Sequence, residues 1–218
     1  MKTITTVGNS TYQKIKHDII FGDLEPASKL KLDSLKIKYS TSMSTLRESL
    51  NRLASEEFVI AEEQRGFFVA PVSREDLTEI ADLRVMLECH ALKLSIERGD
   101  TDWEGNLVAA HHKLSLMEKQ MKIGNESIIE DWKRYDWEFH LAMIAACEIK
   151  NLLSLHSIIY QKYLRYQMRV LTYRGEQAVE EHQEMFESAI KRDTKIAVKS
   201  LKEHIENGLR HTLDAFED

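Results

Sequence analysis

The chain has 218 residues, 43% of them hydrophobic and 30% charged, with a net charge of −6. That balance excludes a disordered or fibrous chain and leaves enough apolar material for two modest domains, each with its own core. No run of about 18 apolar residues exists to span a bilayer, and the N-terminus MKTITTVGNS lacks the charged-then-apolar plan of a secretory signal, so a cytoplasmic protein with no membrane partner is expected.

Only two prolines and eight glycines interrupt the chain, which favours long helices and a mainly α fold. Cys89 and Cys147 sit in helical, apolar contexts without CxxC spacing and read as buried free thiols of a reducing compartment. Charge is uneven. Residues 1–55 hold nine Lys and Arg against five Asp and Glu, a net of +4, so the rest of the chain carries −10. A weakly basic module on an acidic body is the pattern of a protein that meets phosphate at one end.

In chain order, apolar residues at Tyr12, Ile15, Ile19 and Ile20 predict a first helix that stops at Gly22. After GDLEPAS, the segment LDSLKIKY gives a second. The stretch STSMST then precedes a third helix, LRESLNRLASEEF, whose buried face is Leu46, Leu50, Leu53 and Ala54. Thr45 followed by Glu48 matches a capping box, with Ser42 as the alternative cap. FVIAEEQRGFFVAPV reads as a two-stranded hairpin with glycine at its tip, around Gln64, Arg65 and Gly66. Three helices followed by a hairpin form the winged helix-turn-helix plan, in which the third helix enters the major groove and the hairpin tip reaches an adjacent one. This module is placed at residues 8–72.

Pro71 closes the hairpin, and Ser73 with Asp76 signals a helix start. From residue 73 to 218 six helices are expected, near 76–98, 102–122, 126–147, 149–173, 177–191 and 194–216, forming an antiparallel all-α bundle. Asp136 and His140 lie four residues apart, on one face with Met143 and Cys147. His182 is in line with Ala178, Met185 and Ala189, and His204 with Ala197, Leu201 and Gly208. Burying three histidines and an acid as separate groups is expensive, and a shared cation removes the difficulty. Imidazoles with one carboxylate suit zinc, nickel, manganese or iron better than calcium or magnesium. Spacing alone leaves the plainer alternative of satisfied core histidines open, because His90, His111, His112, His156 and His211 make chance matches easy.

The run from Tyr12 to Pro26 (Y-x-x-I-x-x-x-I-x-x-G-x-L-x-P), STSMSTLRESLNRL (Ser40–Leu53) and RGFFV (Arg65–Val69) resembles the GntR family of bacterial transcription regulators. Where that family usually has glycine, arginine and proline in the turn and recognition helix, this chain has Ser40, Met43 and Thr45, and Ala27 stands where glycine usually follows the proline. The resemblance implies DNA contacts from Ser42, Ser44, Thr45 and Arg47, with Arg65 and Gly66 at the wing. The C-terminal part resembles the FCD type, the helical effector-binding domain of the FadR branch, and the chain is similar to CsiR-type regulators in its early part. Metal-binding members show D-x-x-x-H, a later histidine and a third about twenty residues on, which Asp136, His140, His182 and His204 match. The same resemblance places an effector-contacting arginine at Arg84, whose alternative is a surface arginine paired with Glu88 at i+4; Arg165 and Arg169, sharing a helix face, are further candidates. It implies a homodimeric repressor on a double-stranded DNA operator, released by a small carboxylate bound at a metal site. Two rivals remain at this point: a metal-dependent enzyme using the Asp/His set, and a regulator whose metal is only structural. The His111–His112 pair and the tract KLSLMEKQMK read as an amphipathic helix face, and Trp103, Trp132 and Trp137 as residues that pack or rim helices.

Overall fold

The computed structural model describes residues 7–170 and 174–216. They divide into two compact units: one gathers the described residues up to Leu77 with the stretch of chain from Gln161 to Val170, and the other holds Thr78–Tyr160 and the residues from Arg174 onward.

In the first unit, α1 (Val7–Ile20) is followed by a short strand β1 (Lys29–Leu30), then α2 (Leu32–Lys38), α3 (Met43–Ser55), β2 (Val59–Glu62) and β3 (Gly66–Val69). The apolar stripes of α1 and α3 pack together, and Ile15, Leu46, Leu50, Leu53 and Phe58 are fully enclosed. Burying each such side chain is worth roughly 1.5–3 kcal/mol, which is why the stripe predicts the helices. The sheet has the antiparallel order β1-β3-β2, with Glu62 opposite Gly66 and Lys29 opposite Phe68. Three details differ from expectation. Ser42 caps α3, its Oγ accepting from Thr45 N at 3.1 Å, so Thr45 lies inside the helix and no capping box begins there. Gly66 opens β3 instead of occupying the tip, at φ +97°, and the turn is Glu63 to Arg65. The strand β1, two residues long, carries too few residues for an alternating pattern to show.

The glycine departures fall where the backbone is left-handed. Ala27 has φ +59° and Ser40 has φ +49°. Ser40 follows the C-cap of α2 in a Schellman turn: its own N donates to Ile37 O at 3.2 Å, and Thr41 N donates to Lys36 O at 3.2 Å.

The six helices of the bundle are α4 (Arg74–Arg98), α5 (Thr101–Lys122), α6 (Ile129–Ile144), α7 (Lys150–Val170), α8 (Glu176–Ile190) and α9 (Thr194–Ala215). Ser73 starts α4 as expected, its Oγ accepting from Asp76 N at 3.1 Å. The expected helix over 126–147 is broken at both ends into 3₁₀ turns, Glu126–Ile128 and Ala145–Cys147. The expected end of α7 at 171–173 lies outside the described residues. Asp100 and Asp193 cap α5 and α9 by accepting from Trp103 N and Ile196 N. In the second unit α5 packs on α6 and α8, and α8 on α9, around Leu92, Leu107, Leu114, Phe139, Met143, Met185 and Leu201. No helix among the described residues is long and apolar enough to cross a membrane.

Candidate metal centre and DNA-binding surface

The apolar stripes of α6, α8 and α9 each carry one histidine into the second unit, because the rest of each stripe must be buried and the ring travels with it. His140, His182 and His204 are all buried, and their ligand nitrogens lie within 4.8 Å of one another. Asp136 joins them: its Oδ1 is 3.4 Å from His182 Nε2 and 4.0 Å from His140 Nε2. The structure therefore brings the four residues picked out by spacing to one place.

It also shows a layer that spacing did not. Each imidazole has its Nδ1 against a carboxylate from another position: His140 meets Glu88 Oε2 at 2.8 Å, His182 meets Glu118 Oε1 at 2.6 Å, and His204 meets Glu181 Oε2 at 2.8 Å. Every ring is thus held at Nδ1 and presents Nε2. Tyr160 on α7 donates to Asp136 Oδ2 at 2.7 Å. Carboxylate behind imidazole is the arrangement that orients histidines for a cation and raises their basicity.

Ionisation follows from these contacts. Burial opposes charge on Glu88, but Arg84, His140 and His156 together hold it well below its ordinary range. Asp136 is also held well down, burial being outweighed by His182, Lys133 and His140. Burial lowers His140, and burial with the neighbouring His182 charge lowers His204 well below its ordinary value, which favours the neutral form that a ligand must have. His182 is the exception: despite burial, Asp136 and Glu118 push it up to about 9.

The residues fit a divalent transition metal. His182 Nε2 is a buried nitrogen that meets Asp136 Oδ1 only at a long 3.4 Å, short of a well-formed hydrogen bond, and three imidazoles beside a carboxylate is a borderline-soft donor set suited to such ions.

The candidate arginines separate. Arg84 is buried in α4, its Nε donating to Glu88 Oε1 at 2.7 Å and its guanidinium 4.4 Å from the Tyr160 ring centre. It is therefore paired with Glu88 as the alternative reading held, but buried one contact behind His140 instead of on the surface. Arg165 and Arg169 fall in the first unit, where Arg165 donates to the backbone carbonyls of Ala70 and Pro71. Sequence reasoning missed Arg174: its Nη2 lies 2.9 Å from Glu181 Oε2 and 3.1 Å from His204 Nδ1. Lys133, one turn before Asp136 on the same side of α6, is buried as well.

On the first unit, Ser42, Ser44 and Arg47 are exposed at the start of α3 and Thr45 is half-buried. Ser42 Oγ is 2.9 Å from both Ser44 Oγ and Thr45 Oγ1. Arg47 has no ion-pair partner among the described residues. Arg65 and Gly66 are exposed at the hairpin, Arg65 pairing with Glu62.

A winged helix-turn-helix joined to a helical domain with an enclosed polar centre defines a DNA-binding transcriptional regulator with a ligand-binding domain. Residues 8–69 match the bacterial regulatory proteins of the gntR family, and residues 79–207 match the FCD domain. The chain belongs to the GntR family of regulators, and its FCD domain fits the FadR branch. It is 33% identical over 202 residues to the HTH-type transcriptional regulator BphR of Paraburkholderia xenovorans, covering 92% of this chain and 82% of that one. With the HTH-type transcriptional repressor GlaR of Escherichia coli it shares 30% identity, covering 93% of each. Its fold is that of E. coli McbR/YncC, with a TM-score of 0.80 at 18% identity over 97% and 99% of the two chains. GntR regulators bind DNA operators and usually act as dimers, and FCD domains bind small-molecule effectors and often a metal. The enzyme reading is thereby set aside: the family and the relatives are regulators.

Proposed function

We propose that the protein is a homodimeric repressor whose helical domain holds a divalent transition metal, zinc or nickel before manganese or iron, on His140, His182, His204 and Asp136, and senses a small carboxylate there. One observation carries this reading: three imidazoles from three helices converge with every Nδ1 already held by a carboxylate. Bound there, the metal would supply a Lewis-acidic position to which a carboxylate oxygen can bind. The chain's own residues do the rest. Glu88, Glu118 and Glu181 fix the ring orientations, Tyr160 holds Asp136, and Arg84 secures Glu88 behind His140. The name of the relative GlaR supports a repressor.

On the DNA side, Ser42, Ser44, Thr45 and Arg47 would meet the major groove and Arg65 with Gly66 the flanking groove, two heads reading matched half-sites. The effector would shift the domain between two arrangements with different operator affinity, a coupling of about 1–3 kcal/mol.

The test combines metal analysis of the purified protein with a thermal-shift screen of carboxylates and a gel shift on the operator. Metal at one per chain, lost in His140→Ala, with a carboxylate that both raises melting temperature and weakens DNA retention, is the expected result. Metal present but no carboxylate affecting either readout would instead make it a structural staple.

A further inference from the structure

The enclosed charges of the helical unit do not balance once a divalent cation is added, and their sum selects the charge of the effector. Among the described residues of that unit the buried charged side chains are Arg84 and Lys133 against Glu88, Glu118 and Asp136, two positive and three negative, leaving −1. Arg174 and Glu181, only 12% and 14% exposed, pair at 2.9 Å and cancel each other. Adding a divalent ion to neutral imidazoles turns the sum to +1. An uncompensated charge shut away from water is expensive, and it is removed by one negative charge, not two.

We propose, resting on the metal-site reading above, that the effector is taken up as a monoanion: a monocarboxylate whose remaining polar groups are neutral. A dicarboxylate would replace a surplus of +1 with a surplus of −1, beside Glu88, Glu118 and Asp136, whose positions are already fixed by the imidazoles and Tyr160.

Matched pairs of probes isolate charge from shape: malonate with malonamate, succinate with succinamate, and glutarate with glutaramate, each amide keeping the skeleton of its diacid while removing one charge. The full-length protein, loaded with zinc and checked for one metal per chain, is titrated with each probe by calorimetry. The amide monoanion is expected to bind about ten-fold or more tightly than its diacid at the best-fitting chain length. In Glu118→Gln, which raises the sum to +2, the order within the pair reverses. A diacid that binds the unaltered protein more tightly than its amide overturns the proposal, as does the absence of binding by any probe at millimolar concentration. The comparison in the unaltered protein stands even if Glu118→Gln fails to fold. Failure to load zinc, or loading unaffected by His140→Ala, would instead sink the metal-site reading on which this rests.

Discussion

Replacing Ser40 with glycine should stabilise the DNA-binding unit. Ser40 sits at φ +49° immediately after the cap of α2, where its amide and that of Thr41 close a Schellman turn onto Ile37 and Lys36. A side chain in the left-handed region costs roughly 1–2 kcal/mol, because Cβ crowds the neighbouring carbonyl. Glycine relieves that strain but gains freedom in the unfolded chain worth about 0.4–1 kcal/mol against the fold. The exposed hydroxyl of Ser40 makes no hydrogen bond among the described residues, so nothing else is lost. The net gain is about 0.5–1 kcal/mol, which for a domain of this size is a rise of about 2–8 °C in melting temperature. Urea denaturation followed by circular dichroism should show a higher midpoint with unchanged slope, and operator affinity should stay the same, since the turn is kept. A midpoint that stays put or falls would show that the left-handed backbone is not strained by this side chain and would refute the reasoning.

Arg47→Ala should abolish operator retention in a gel shift while melting is unchanged, because Arg47 is exposed and has no ion-pair partner among the described residues; full retention would move the recognition surface elsewhere. Stripping metal with a chelator should lower the melting temperature and refilling should restore it, by as much as about 4 kcal/mol at free metal a thousand-fold above the dissociation constant; identical melting of stripped and refilled protein contradicts the site. Metal binding at pH 7 should release about one proton per chain, read as calorimetric heats that differ between buffers. The sign follows from His182, raised to about 9 by Asp136 and Glu118: below that pH the metal-free ring carries a proton that the cation must displace, so affinity weakens as pH falls. The same raised group stabilises the metal-free fold below its unfolded value and loses that contribution as pH rises through about 9. Buffer-independent heats would rule out a protonated His182.

The helical stripes made much of this legible before any coordinates. An ionisable residue on an apolar stripe has to be buried with it, so spacing marked Asp136, His140, His182 and His204 as candidates, and the family pattern singled them out from the other histidines. Their carboxylate partners were harder. Glu118 lies in line with Leu107, Ala110, Leu114 and Met121, all buried, and an acid on such a stripe is the signal that could have found it; KLSLMEKQMK reads instead as an ordinary amphipathic face. Glu88 was visible only as a possible partner of Arg84, and its contact with His140 spans 52 positions, which no local pattern encodes. Arg174 lies outside the helices, where periodicity says nothing. In the first unit, the missing glycines at positions 27 and 40 were legible as substitutions but not as strain, since strain depends on a dihedral angle that no residue type specifies.

Six helices send a side chain into one hub: Glu88 from α4, Glu118 from α5, Asp136 and His140 from α6, Tyr160 from α7, Glu181 and His182 from α8, and His204 from α9. An ion seated there would act like a keystone, touched directly by three of these rods and through one hydrogen bond by the others. Gain or loss of a ligand at that point would then be felt as a change in stiffness around the whole barrel of helices, with no single lever needed to carry the message.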